Sequence, residues 1–185
     1  MGLVRELMHS REGPLLMGVL NRTPDSFSDG GSFLDDDAAL RRAHEMIADG
    51  AAIIDVGAES TRPGSPRIDA REQLARLGPI VKQLSRAGAV VSVDTTDPEV
   101  SACALQDGAR IINCVDPERA AELARLARRH DADLVIMHSR GAMATMRGFG
   151  EQEESTYRDV VASVAAELEA ARDAGTRAGL DRASI

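Results

Sequence analysis

The sequence predicts an α/β protein built on a parallel sheet. Three observations carry this. Five short apolar runs recur: LLMGVL ending at Asn21, AAIID at Asp55, AVVSVD at Asp94, RIIN at Asn113 and DLVIMH at His138. Segments of helical periodicity separate them, and strand–helix alternation is the mark of a parallel sheet. The runs are nearly continuous in apolar residues, which predicts strands covered on both faces.

The intervening helices follow from their caps and stripes. The first, Asp35 to Asp49, puts Leu40, Ala43 and Ile47 on one face, with acids at its start and Gly50 beyond its end. The second, about Asp69 to Ala87, carries Leu74, Leu77, Val81 and Leu84 on one stripe, and Asp69 with Glu72 forms a capping-box pattern. Pro79 is expected to break or kink it. Asp97-Pro98 and Asp116-Pro117 each place an acid at the N-cap and proline at the first helical position. The last helix is expected from about Glu153 to Gly179, with Val160, Val164 and Leu168 inward.

Two parallel architectures compete, an open doubly wound sheet and a (β/α)8 barrel. Both place their sites at the carboxyl ends of the strands. No GxGxxG follows any strand, which weakens the dinucleotide reading. Polar residues at all five strand ends suit a barrel mouth, where several strands contribute chemistry. No linker or low-complexity stretch divides the chain, so residues 1–185 form one expected domain.

Composition narrows the function. Aromatic residues are 2% of the chain, so Ala, Leu, Val and Ile must fill the core. The net charge of −8 argues against a nucleic-acid surface. An anionic small substrate must then be held locally, by helix N-termini, arginines or a metal. No apolar run nears the roughly 18 residues that span a bilayer, and the N-terminus lacks a secretory core. Cys103 and Cys114 show no metal or redox spacing, and a reducing cytoplasm is the expected location.

The strand ends read as chemistry. Asn21 closes the first run and opens a loop built on Pro24-Asp25 and Asp29-Gly30-Gly31. Thr61 and Arg62 precede the Pro63-Gly64 turn, a hydroxyl and a guanidinium suited to an anion or an aromatic acid. Asp94 leaves a buried run and needs donors, since an unpaired carboxylate there costs a few kcal/mol. It is not needed as a helix cap, because Asp97 fills that role. Asn113 offers amide donors and an acceptor to a heterocycle edge. His138 reads as structural, and Cys114 as a buried inert thiol.

These stretches resemble the dihydropteroate synthases, pterin-binding enzymes of folate synthesis. GVLN followed by TPDSFSDGG is similar to that family's first signature, and DVGAESTRPG to its second, with Ala58 where glycine is usual. SVDT, IINCV and VIMHSRG resemble later segments, with Cys114 where the family has aspartate. The resemblance implies pterin binding by Asp94 and Asn113, with substrate contacts from Thr61 and Arg62. It also implies Mg²⁺ with the leaving diphosphate near Asn21. Phe27, in the polar loop after the first run, reads either as a cover for p-aminobenzoate on closure or as a local anchor of that loop, and Met137 is suited to line the pterin pocket, since methionine adapts to flat rings.

The implied reaction joins dihydropterin-6-ylmethyl diphosphate to p-aminobenzoate. The family's later DPG motif, lysine and Arg-x-His have no counterpart here, and Lys82 lies in a helix. The expectation is therefore about five of eight βα units, a domain truncated at its C-terminus relative to the family. On its own such a chain is expected to be inactive and to form a homo-oligomer through unpaired sheet edges. Two other readings remain: a non-catalytic pterin- or partner-binding half-barrel, and a methyltetrahydrofolate-dependent methyltransferase. The TPDSFSDGG and STRPG loops argue against the second.

Overall fold

The computed structural model describes residues 2–23, 36–59, 68–139 and 159–185. Five strands form one sheet: β1 (Met17–Asn21), β2 (Ile53–Gly57), β3 (Val90–Asp94), β4 (Ile111–Cys114) and β5 (Asp133–Ile136). All neighbours are parallel and the order is β1-β2-β3-β4-β5. A doubly wound sheet reverses its strand order at a switch point. This sheet never does, so its winding is that of a (β/α)8 barrel, present here as five consecutive units.

Helices α2 (Asp36–Ala48), α3 (Ala70–Arg86), α4 (Pro98–Gln106), α5 (Ala120–Arg129) and α6 (Val160–Arg177) follow β1 to β5 in turn. Alternate strand residues bury against them: Leu20, Ile54, Val56, Val91, Val93, Ile112, Cys114 and Leu134 join one core with Leu77, Ile80, Leu84 and Leu123. The expectation that both sheet faces are covered is corrected. The opposite face is buried at Asp55, Ser92 and Ile111, but open at the outer strands, where Val19 is 52% and Val135 38% exposed. Three strand ends also shift, β4 running one residue past Asn113 to Cys114. Asp55 lies in the middle of β2 rather than at its end, and β5 stops at Ile136, before His138.

Pro79 does not break its helix; α3 runs unbroken through it. Proline removes the amide that would bond the Ala75 carbonyl, but both residues are exposed, so water serves that carbonyl. On the opposite stripe Leu77, Ile80, Val81 and Leu84 are buried. At about 1.5–3 kcal/mol each, that burial outweighs the roughly 3 kcal/mol cost of a proline in a helix interior. Half of the expected capping box forms: Asp69 accepts from the Glu72 amide at 2.8 Å. The Glu72 carboxylate instead pairs with Arg76, one turn on.

Asp97 caps α4 as expected, while Asp116 caps a 3-10 turn, Pro117–Arg119, that leads into α5. In α6 the inward placement of Val160 is corrected. Val160 is 57% exposed, and Ala171 and Gly175 are the buried residues. One helix was not anticipated. α1 (Leu3–His9) lies at the amino end of β5, where the buried Asp133 carboxylate accepts from the Val4 amide at 2.8 Å. Gly2 is required there, since a β-carbon would fall 2.5 Å from the Ala183 carbonyl oxygen.

Candidate active site

The sheet register brings the strand-end residues into one row. Asn21 pairs with Gly57, Gly57 with Asp94, and Asp94 with Asn113. Residues in one register row point to the same face. Asn21, Asp94 and Asn113, predicted from three separate runs, are therefore neighbours at the carboxyl end of the open face. Gly57 makes room between them. A β-carbon on it would lie 3.3 Å from Asn21 Oδ1 and 3.5 Å from Asp94 Oδ2.

A second row lies one step deeper: Val19, Asp55, Ser92 and Ile111. Asp55 reaches diagonally from it, and its Oδ2 accepts from Asn113 Nδ2 at 3.0 Å. Asp55 is 3% exposed, and its other oxygen has no partner among the described residues. The apolar run breaks at Asp55, so the sequence pattern alone assigns this residue no role. The available signal was an acid inside an apolar run, two residues before a glycine.

Asp94 feels this surrounding directly. Burial, then the charges of Asp55 and Glu59, raise its carboxyl from the ordinary 3.8 to about 7. Near neutral pH it therefore interconverts between an acceptor pair and a donor-plus-acceptor. Donors from a ligand would favour the ionised form.

The chain around the row is tied down by polar contacts. Arg22, buried, pairs with Asp36 and donates through Nε to the Arg76 carbonyl at 3.1 Å. Glu59 accepts from the Ile68 amide at 2.8 Å. Gln73 accepts from the Thr95 hydroxyl at 2.9 Å, joining α3 to the end of β3. His138 pairs with Glu167 of α6 at 3.0 Å, in keeping with its structural reading. Cys114 exchanges contacts with the Asp116 backbone at 3.2 and 3.4 Å, and burial pushes its thiol up to about 11, so it is inert.

Thr61, Arg62 and Phe27 lie outside the described residues. Met137 follows β5 and is exposed, on the alternation that includes Val135. No cluster of three or more His, Cys, Asp or Glu among the described residues could hold a metal. Mg²⁺ shared with a substrate diphosphate needs less, since it keeps waters and takes phosphate oxygens. Asn21, exposed and with its Oδ1 beside Gly57, fits one such contact. No helix among the described residues is long and apolar enough to cross a membrane.

Comparison with known proteins places the chain in a family. A family model described as pterin binding enzyme matches residues 17–185. The dihydropteroate synthase of Mycobacterium leprae is 47% identical over 171 residues, covering 92% of this chain and 59% of that protein. The Bacillus subtilis dihydropteroate synthase is 37% identical, with 95% and 58% covered. The Burkholderia cenocepacia dihydropteroate synthase solved with 7,8-dihydropteroate superposes with a TM-score of 0.79 at 38% identity, over 94% of this chain and 57% of that one. The chain thus spans a little under 60% of the length of these relatives. With the family model matched over nearly its whole length, the chain belongs to the pterin-binding enzyme family.

Proposed function

We propose that this chain carries the pterin-binding part of a dihydropteroate synthase. The reaction joins the amine of p-aminobenzoate to the exocyclic methylene of a dihydropterin diphosphate. A C–N bond forms, the C–O bond to diphosphate breaks, and the amine loses a proton. The observation that carries the reading is the row of Asn21, Asp94 and Asn113 around Gly57. A pterin edge offers an amino group and a ring N–H side by side, a donor pair that an ionised Asp94 accepts with both oxygens. Asn113 contributes the neighbouring acceptor.

Asn21 lies on the adjacent strand, where it would give an amide oxygen to Mg²⁺. The ion, when bound, would neutralise charge developing on the leaving diphosphate. Thr61 and Arg62 are the proposed contacts to the carboxylate of p-aminobenzoate. The role of this chain's residues is to hold the pterin in one orientation and leave its methylene open to the amine. The ligands of related structures support the reading: 7,8-dihydropteroate in the Burkholderia cenocepacia dihydropteroate synthase, 4-aminobenzoic acid in that of Xanthomonas albilineans.

Calorimetric titration of 6-hydroxymethylpterin into residues 1–185 tests the binding half. A dihydropteroate-forming assay with both substrates separates an enzyme from a binding unit. Absence of pterin binding would remove the basis of the proposal.

A further inference from the structure

We infer that Asp55 is a positioning residue that fixes which edge of the Asn113 amide meets the ligand. The contact is Asn113 Nδ2 to Asp55 Oδ2, 3.0 Å, made across the intervening strand β3. An ionised carboxylate only accepts, so it dictates the amide orientation: NH₂ toward Asp55, carbonyl oxygen away. Asn113 is half-buried and shares its register row with Asp94. With its NH₂ engaged by Asp55, Asn113 leaves its carbonyl oxygen as the group free to meet a ligand at this strand end. An acceptor there, in the same row as the Asp94 carboxylate, favours a ligand that displays donors over one that displays acceptors.

Stability does not account for Asp55. It is almost fully buried, and among the described residues it makes this one side-chain hydrogen bond and leaves its second oxygen without a partner. The buried hydroxyl of Ser92, its register partner, is likewise unpaired. A buried carboxylate so poorly served costs free energy, and an apolar residue of similar size would fold at least as well. Its one hydrogen bond, to the Asn113 amide, fits a group that orients another side chain.

The inference rests on the pterin reading above, and two measurements keep the two apart. The first needs no ligand. In isotope-labelled protein, the Asn113 side-chain amide protons should show the slowed exchange of a carboxylate-bonded group. Asp55→Leu should return them to exchange typical of water-exposed amides. The second is titration of 6-hydroxymethylpterin. Asp55→Leu should weaken binding about tenfold or more without lowering the melting temperature. Asp55→Asn, which keeps an acceptor in one of its two orientations, should lose less. Affinity indifferent to Asp55, or Asn113 protons unchanged by Asp55→Leu, would overturn the inference alone. No binding by the wild-type chain would overturn the pterin reading and this use of Asp55 with it.

Discussion

Asn21 and Asp94 face each other across Gly57, so close that a single methyl group on the glycine would touch both. Its β-carbon would stand 3.3 Å from Asn21 Oδ1 and 3.5 Å from Asp94 Oδ2. The first distance is tight and the second is ordinary contact. Gly57→Ala should therefore cost the fold about 1 kcal/mol or less, while displacing the two polar groups. Pterin affinity should fall by about tenfold. Thermal melting and titration of the same variant separate the effects. Unchanged affinity would mean that the space above Gly57 is not used by the ligand.

Asp94→Asn should weaken pterin binding by roughly ten- to a hundredfold, the loss of a charge-assisted hydrogen bond. The same substitution should not destabilise the protein at about pH 8, and is expected to raise its melting temperature there. The sign follows from linkage. The native carboxyl holds its proton up to about 7 against an ordinary 3.8. Native Asp94 thus contributes its full share of stability below the unfolded value. That share is lost as pH rises toward the folded value, and is flat beyond it. Melting curves across this window should show the dependence in the wild type and a weaker one in the variant.

Binding should follow the same titration in the opposite sense. The groups facing Asp94 with charge are Asp55 and Glu59, both acidic. A ligand that donates two hydrogens to Asp94 selects the ionised carboxylate and must displace a proton below its pKa. Pterin affinity should rise about tenfold per unit between roughly pH 5 and 7, then level off. A flat profile over that range in the wild type would place the ligand away from Asp94.

Mg²⁺ should tighten binding of a pterin diphosphate and leave a pterin without diphosphate unaffected. Asn21→Ala should remove most of that gain, because Asn21 supplies the proposed amide oxygen. Calorimetry with and without the metal measures both effects. Persistence of the full metal effect in Asn21→Ala assigns the contact to another group.

Asp36→Ala should destabilise the fold. Arg22 is almost completely buried and Asp36 is its carboxylate partner. Deleting Asp36 removes that carboxylate, while Arg22 keeps its bond to the Arg76 carbonyl and the Asp36 side chain is 38% exposed, which tempers the penalty. A loss of about 2 kcal/mol, or roughly 4–8 °C in melting temperature, is expected. A loss below about 0.5 kcal/mol would make the pair a surface ornament.

The sequence by itself determined the strands, the caps and the polar residues at the strand ends, because those depend on local pattern. An apolar run of strand length stops where it meets Asn21, Asp94 or Asn113, and Asp97-Pro98 starts a helix wherever the chain goes next. Pro79 shows the limit of local rules: the buried stripe of α3 outweighs the missing amide, and only packing reveals that stripe's partners. The open face at Val19 and Val135 was illegible for the same reason. An apolar residue reads alike whether or not something covers it. Register was decided by tertiary structure alone. It set Asp94 beside Asn113, put Gly57 between Asn21 and Asp94, and brought Asp55 under Asn113 from 58 residues away. A hydrogen bond between strands two places apart leaves no spacing in the chain, since its length is set by sheet geometry and not by sequence separation.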